Sequence, residues 1–453
     1  MRKAWARVVP ILLLVFLRLA APAMAQNNDA PASDGSIQVR GSLRCPTLSN
    51  PGGFPMECIG RPFDFAETLS RDWAGFRSEL MRLGITPTAS YVAQFMGNPS
   101  GGQSTGFTYA GTFELLVHWD IGKLLPLEGL SLVVGAGWST GRSLSADEIG
   151  NIFAVQSAYT GVDGGTNSLT LGPLYLHQRL LEDRLMFAVG RLAPGETFAT
   201  MPVLNNYVNG GISAVPGSLA TDIPSFASYP PGMQWGAQAV YRLTPALQVD
   251  AGVFNASLRS AAGADGGTDF SLGGDHTGVL SVVQATYLNR AGTSAGLPGL
   301  YAVGGMYDSS RFSHVSGSGR TTHGNDAVYA MFQQMIYREG GPGSEEGLTL
   351  WGEVAVAPRS SVSPLPLFIG GGLSYQGLIP GRGPDIASLG VIHGALSQDL
   401  PRTTAETVIE MNYQLILPGG LSIMPDLQYI IRPGGVRGVG NALVLGAQVT
   451  ISF

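Results

Sequence analysis

The sequence predicts an all-β fold, a sixteen-stranded antiparallel transmembrane β-barrel with a short N-terminal helix. Three observations predict it: the pattern of the last strand, an export signal with no apolar helix after it, and a composition rich in glycine and poor in charge. Residues Leu443 to Phe453 alternate between an apolar and a mostly polar face and end on an aromatic residue. Strict alternation indicates a strand with one apolar face, and a final aromatic residue is typical of bacterial outer-membrane barrels. Taken alone, this stretch also fits the last strand of a soluble β-sandwich.

Residues 1–25 have the organisation of a secretory signal peptide. A basic start is followed by an apolar stretch from Val8 to Leu17 and by the small-x-small site Ala23-Met24-Ala25. We therefore expect the mature chain to begin at Gln26. A membrane anchor is the weaker alternative, because a spanning helix needs roughly 20 apolar residues. No later run is long enough, but a closed barrel can still span a membrane because closure pairs every backbone group.

Composition agrees with a barrel that meets lipid on one face and water on the other. Glycine accounts for 64 of 453 residues, about twice its usual share. Charged residues account for 13%, about half of their usual share. A soluble chain of this length needs more charge on its surface. The formal net charge is −6, and the sequence has no basic stripe, so no nucleic-acid partner is predicted.

Residues 26–85 are predicted to form an N-terminal periplasmic leader. It holds the chain's two cysteines, Cys45 and Cys58, which we expect to form one disulfide in an oxidising compartment. In the chain-entropy model, a disulfide that closes such a short loop stabilises the folded state by roughly 3 kcal/mol. A metal site is poorly supported, since no histidine or second cysteine pair is near. Apolar residues at helical spacing predict an amphipathic helix over Phe63 to Leu83, ended by Gly84.

Residues 86–453 are predicted to form the transmembrane β-barrel. Sixteen segments have the length that a tilted membrane strand needs, roughly 9–11 residues or slightly more. They are 86–96, 107–120, 129–138, 169–178, 183–192, 233–242, 246–255, 279–290, 299–307, 325–337, 348–358, 366–377, 386–396, 405–417, 421–431 and 441–453.

The connections between these segments give an independent signal. Those after even-numbered strands tend to be short, as at 243–245 and 418–420, whereas 139–168, 193–232 and 256–278 are long. Short turns at one end and long loops at the other are expected of an outer-membrane barrel, and an even strand number places both termini in the periplasm. Aromatic residues near strand ends on the apolar face predict interfacial girdles in outer-membrane lipid, with ordinary strand propensity as the alternative. These residues are Trp119, Trp138, Tyr241, Tyr413 and Tyr429.

The opposite face of the strands is predicted to line the lumen. It is rich in carboxylates and amides, which suit polyhydroxyl solutes, although any water-filled pore wall is polar. Its members include Glu114, His118, Asp120, Gln234, Gln238, Arg242, Gln248, Asp250, Trp351, Glu353, Glu410, Asn412, Gln414, Asp426 and Gln428. The longest connection, 193–232, is expected to fold inward and narrow a lumen that sixteen strands would leave wide. The alternative is an external loop.

Several short motifs resemble those of the carbohydrate-selective porins of proteobacterial outer membranes, the OprB-type family. The resemblance extends over about residues 70–453. The matching runs are Arg71 to Arg77, Gly141 to Ser145, Gly150-Asn151, Leu180 to Leu185, Gly190 to Ala193, His323 to Asn325, Gln334 to Glu339, Gly377 to Arg382, Glu406 to Glu410, Pro425 to Ile431, Pro433 to Gly435 and Asn441 to Val444. This resemblance implies a sixteen-stranded barrel, passive uptake of sugars and frequently a homotrimer. The chain departs from the family around 175–178, where it has Tyr175, His177 and Gln178.

Five residues are candidates for contact with the solute in the pore, from strand parity and loop position. They are Arg142, Arg191, Glu196, Trp351 and Glu353. Phe453 is expected to act as an assembly signal that the barrel-assembly machinery reads.

The predicted function is passive, carbohydrate-selective diffusion into the periplasm, with a general diffusion porin as the alternative. A barrel enzyme would need a serine–histidine pair with an orienting group, and the six histidines are scattered. No catalytic group, metal or cofactor is therefore expected. An energised transporter would need a large N-terminal plug domain, for which the leader is too short.

Overall fold

The structure is a computed structural model that describes residues 68–158, 167–226, 233–256, 266–268, 278–289, 296–341, 344–401 and 403–453. The signal peptide, the Cys45–Cys58 disulfide and the beginning of the expected helix lie outside the described residues. Among the described helices, none has the length and hydropathy required to cross a membrane.

Sixteen strands make up most of the described chain. They are β1 (Ile85–Gly102), β2 (Gly106–Asp120), β3 (Leu130–Gly141), β4 (Asn167–Leu180), β5 (Leu185–Leu192), β6 (Gln234–Arg242), β7 (Leu247–Ala256), β8 (Gly278–Asn289), β9 (Gly299–Ser313), β10 (Thr321–Arg338), β11 (Gly347–Val356), β12 (Leu367–Gln376), β13 (Ile386–Ala395), β14 (Ala405–Leu417), β15 (Leu421–Ile431) and β16 (Gly440–Ser452). Each falls on a segment expected from the sequence. The clearest differences are that β1 and β9 end later, and β10 begins earlier, than expected, because backbone pairing continues past the apolar alternation.

The strands form one closed antiparallel barrel in which every strand pairs with its neighbours in sequence. Closure occurs between β1 and β16, where Ser90 lies opposite Ser452. The predicted fold is therefore confirmed. Since the strand number is even, β1 begins and β16 ends at the same end of the barrel.

Alternating burial separates the two faces of the wall. In β7 the side chains of Val249 and Val253 are exposed on the outside, whereas Gln248, Asp250 and Phe254 are buried on the inside. Trp138 and Tyr429 are also exposed on the outer face. The predicted parity of the wall is confirmed, because the pleat of a strand sends successive side chains to opposite faces.

The N-terminal helix is shorter than the sequence predicts. Helix α1 spans Phe76–Arg82 and follows a single 3₁₀ turn, Trp73–Gly75. Arg71, Trp73 and Ala74 have positive φ angles of 48°, 48° and 57°. A left-handed backbone at these residues interrupts the helical path, so the expectation of one helix from Phe63 to Leu83 was wrong in its described part.

A second layer, made of inter-strand connections, lies inside the barrel. The connections after β3 and β5 contribute apolar residues that pack against inward side chains of the wall, and the second connection contains helix α2 (Gly217–Asp222). Phe153 packs edge-on against Phe368 with ring centroids 5.5 Å apart, and Phe198 packs against Phe254 at 6.3 Å. The other short helical turns in the described part of the chain are Ile121–Lys123, Ser145–Ile149, Pro194–Glu196, Pro202–Asn206 and Pro433–Gly435.

Candidate functional site

The connection after β5, described over 193–226, runs through the lumen rather than outside it. Its backbone amides donate hydrogen bonds to wall side chains that alternation turns inward. Ala199 N donates to Gln284 Oε1 at 2.8 Å, and Val203 N donates to Gln333 Oε1 at 3.0 Å. These acceptors belong to β8 and β10, so this loop, the β5–β6 loop, crosses the barrel to the far wall as its length suggested.

Glu410 of β14 holds the middle of the β5–β6 loop. One carboxylate oxygen accepts the Val208 N–H at 2.6 Å and the other accepts the Asn209 N–H at 3.0 Å. The Asn209 side chain donates to Gln428 Oε1 of β15 at 2.9 Å. Both oxygens of one lumen carboxyl group therefore accept from the loop backbone, so Glu410 serves here to anchor the loop.

The connection after β3, described over 142–158, is anchored in the same way. The Glu406 carboxylate accepts the N–H groups of Ile152 and Phe153, at 2.9–3.0 Å, and that of Gly434 at 2.6 Å. Gln94 Oε1 accepts the Ala158 N–H at 2.9 Å. This loop, the β3–β4 loop, therefore also lies inside the barrel.

The two loops are joined to each other inside the lumen. Ser157 N donates to Val208 O at 3.1 Å, and Gly210 N donates to Ala154 O at 2.7 Å. Together they form one inner layer, supported by Glu406 and Glu410 at its edge.

Trp351 and Glu353 lie on the lumen side of β11 but behind the β5–β6 loop. Their exposed fractions are 1% and 4%. The Trp351 Nε1–H donates to the Tyr207 hydroxyl at 2.8 Å, and the two rings pack edge-on with centroids 5.4 Å apart. Neither carboxylate oxygen of Glu353 has a hydrogen-bond partner among the described residues. Tyr207 covers this part of the wall.

Of the other three candidates, Arg191 lies near the end of β5, whereas Glu196 and Arg142 lie at the start of the two inner loops. Arg191 is buried, and its Nη1 donates to Leu171 O at 3.0 Å and to Gly267 O. Glu196 is half-buried where the β5–β6 loop enters the lumen. Arg142 has an exposed side chain, with Nη1 at 3.7 Å from Asp147 Oδ2. The five candidates therefore do not form a single cluster.

The electrostatics around Glu196 are unfavourable for its charge. Burial, followed by repulsion from the nearby Glu114 carboxylate of β2, raises the pKa of Glu196 well above its ordinary value. The same wall carries Tyr175 and His177 of β4, both buried on the lumen side.

Asp222, at the end of α2, is a further anchor that sequence reasoning missed. Its Oδ1 accepts the Leu365 N–H at 2.8 Å, and its carbonyl oxygen accepts from Asn325 Nδ2 at 2.8 Å. Burial raises the pKa of Asp222 to about 7, against the opposing effect of the Leu365 hydrogen bond. Within the described ranges no group of three or more histidine, cysteine or acidic side chains could hold a metal ion.

Comparison with known proteins identifies the family. The model of the carbohydrate-selective porin, OprB family, matches residues 104–453. The chain belongs to this family. The OprB family and the closed barrel are those of a channel that admits carbohydrates, and not those of an enzyme.

Individual relatives agree with the OprB assignment. The chain is 26% identical over 421 residues to Porin B of Pseudomonas aeruginosa, covering 84% of this chain and 90% of that protein. It is 22% identical over 423 residues to Putative porin QuiX of Acinetobacter baylyi, covering 85% and 93%. The high-pH structure of Pseudomonas putida OprB superposes with a TM-score of 0.78 at 24% identity, covering 86% of this chain and 99% of that one. This last match supports the fold.

Proposed function

We propose that the protein lies in the outer membrane of a Gram-negative bacterium and lets neutral sugars diffuse passively into the periplasm beside its inner layer of loops. The observation that supports this most directly is that both loops are anchored to the lumen wall by carboxylates and amides, which would hold them in place during transport. A sixteen-stranded lumen without such a layer is a wide aqueous channel. Narrowing it brings a passing sugar within hydrogen-bonding distance of the walls.

Within this proposal the five candidate residues have two kinds of role. Glu196 and Arg142 retain exposed surface and would contact the solute. Arg191, Trp351 and Glu353 are buried and would act by positioning the loops that border the path. Weak contacts suit conduction, because a solute that binds tightly cannot leave.

Two finer features of the proposal rest on family membership and on the last residue. We infer assembly as a homotrimer in outer-membrane lipid, and recognition of Phe453 by the barrel-assembly machinery during insertion. Chemical cross-linking of the folded protein in detergent would show trimers if this oligomer forms and only monomers if it does not.

Permeation into proteoliposomes tests the solute class. Swelling rates would be compared for a hexose, a hexitol and a zwitterionic dipeptide of similar mass. We expect the hexose and the hexitol to enter several-fold faster than the dipeptide, since a neutral hydroxyl-rich solute loses less on leaving water. Swelling rates that depend on solute size alone would instead support the alternative, a general diffusion porin.

A further inference from the structure

The segment before β1 contains the run Arg71 to Arg77, in which Arg77 bonds to β1 and to Phe453 after the end of β16. We propose that Arg77 forms a clasp that binds the backbone of Phe453 and closes the seam between β1 and β16. The ligand of this site is thus the end of the last strand of the same chain. The clasp, defined here as residues 68–83, precedes β1 in the sequence.

The seam between β1 and β16 is incomplete on one side. The register between β1 and β16 runs to Ser90 and Ser452, and the Phe453 N–H donates to Ala89 O at 2.9 Å beyond it. Strand β1 begins four residues earlier, at Ile85. The first residues of β1 therefore have no partner in β16, and a strand edge without partners exposes unpaired backbone groups.

Arg77 contacts both sides of the seam at this end. Its Nη2 donates to Phe453 O at 3.0 Å and to Pro87 O at 3.1 Å. One guanidinium nitrogen therefore bridges the last residue of the sequence and the beginning of β1. Arginine suits this role because its donors are held in a rigid planar fork.

The clasp itself is held by further contacts of the same side chain. Arg77 Nη1 donates to Thr68 Oγ1 at 3.1 Å and to Arg71 O at 2.9 Å. The Arg77 side chain is completely buried, with its Cζ 4.7 Å from the centre of the Trp73 ring. The Leu69 N–H donates to Ser452 O at 2.9 Å, a second link to the end of β16.

The backbone of the clasp supports a specific role for these contacts. Positive φ angles at Arg71, Trp73 and Ala74 are unfavourable for residues other than glycine, and such angles persist where surrounding contacts fix them. Arg77 supplies such contacts at Arg71, through the bond to its carbonyl oxygen, and at Trp73, through the packing of the guanidinium on the ring.

The order of events follows from the origin of the acceptors. Because Pro87 and Phe453 come from opposite ends of the barrel sequence, the complete site exists only after β1 and β16 have paired. Any factor that reads the backbone of Phe453 must therefore act before the clasp closes.

Hydrogen–deuterium exchange of the folded barrel in detergent micelles tests the clasp. In Arg77→Gln we expect amides of the seam, in 86–95 and 446–453, to exchange at least tenfold faster than in the parent. Amides of β8 and β9 on the opposite wall should be unchanged, as should single-channel conductance. Arg82→Gln is the matched control, because Arg82 lies on the same helix but is exposed and pairs with Glu79.

Two results would overturn the proposal: seam exchange in Arg77→Gln equal to that in Arg82→Gln, or equal acceleration at the seam and in β8–β9. If Arg77→Gln yields too little folded protein, Arg77→Lys gives the answer, because a single ammonium keeps the charge but cannot reproduce the fork. It should show an intermediate acceleration confined to the seam. Exchange in Arg77→Lys identical to the parent would contradict the clasp.

Discussion

Tyr207 links the inner layer of loops to the barrel wall at a single side chain. Its hydroxyl lies 3.1 Å from both Leu373 O and Leu389 O and accepts the Trp351 indole N–H at 2.8 Å. It thus ties the loop to β11, β12 and β13 at once. The hydroxyl explains how a buried tryptophan on a lumen wall is satisfied.

Replacing Tyr207 by phenylalanine should loosen this part of the inner layer. The variant leaves the Trp351 N–H buried without an acceptor, which costs about 1–3 kcal/mol. We expect a lower thermal unfolding temperature, measured by the loss of the folded band in gel electrophoresis, together with noisier single-channel current. Tyr429→Phe is the control, since its hydroxyl is on the exposed outer face and accepts only from Asn441 among the described contacts. Equal effects of the two substitutions would contradict the role of Tyr207.

Asp222 should make stability depend on pH. Its pKa is raised to about 7 by burial in the folded chain, so its contribution to stability is fully present below the pKa of the unfolded chain, near 4. That contribution is lost as the pH rises through 7, and the free energy of unfolding should fall by about 4 kcal/mol at most. Asp222→Asn keeps an acceptor for the Leu365 N–H. The stability of this variant relative to the parent should therefore increase as the pH rises from 4 to 7.

Urea unfolding of folded protein in detergent between pH 4 and pH 8 measures this difference. The control is Asp399→Asn, because Asp399 is exposed. A difference between Asp222→Asn and the parent that stays constant over this range would show that Asp222 does not titrate there.

At the scale of elements, the strands could be predicted almost completely and the inner layer only in part. Two-residue alternation is local, so β7 or β14 reveals its inward face from its own sequence. The bond between Val208 and Glu410 joins positions 202 residues apart and leaves no periodic signal. The sequence therefore places Glu410 in the lumen, but it does not reveal that the Glu410 carboxyl group bonds to a loop rather than to a solute.

The same limit applies to Trp351 and to the N-terminal helix. The inward face of Trp351 follows from alternation, whereas its cover by Tyr207 depends on the path of a distant loop. The apolar spacing of 63–83 is helical, but the left-handed backbone at Arg71, Trp73 and Ala74 belongs to a segment that bonds to β1 and to the end of the chain after β16. Tertiary contacts override local propensity in such segments.

The end of β16 should matter for assembly rather than for transport. The Phe453 backbone pairs with Ala89, and its ring lies 6.3 Å from that of Phe113. Deleting Phe453 should reduce the amount of folded barrel in the outer membrane and leave the conductance of the folded fraction unchanged. Phe453→Tyr, which keeps an aromatic ring, should behave like the parent. Normal folded levels from the truncated chain would refute an assembly role.

At the scale of the whole molecule, one closed barrel encloses one anchored inner layer. The outer wall supplies the lipid-facing surface and the inner layer narrows the path. Carboxylates that could have contacted solute, such as Glu406 and Glu410, instead hold the loops. Under the proposed function, selectivity for sugars rests on the geometry that these anchors maintain.

Planar-bilayer recording with added sugars tests the account most directly. Single-channel current would be compared for the parent, a variant shortened within 200–225, and a control lacking Ser316 to Gly319 at the tip of the β9–β10 hairpin. We predict that millimolar sugar reduces the current of the parent and the control, and that the shortened variant conducts more and is blocked less. Sugars that never alter the current, with equal conductance in all three proteins, would contradict a sugar-selective channel narrowed by its inner loops.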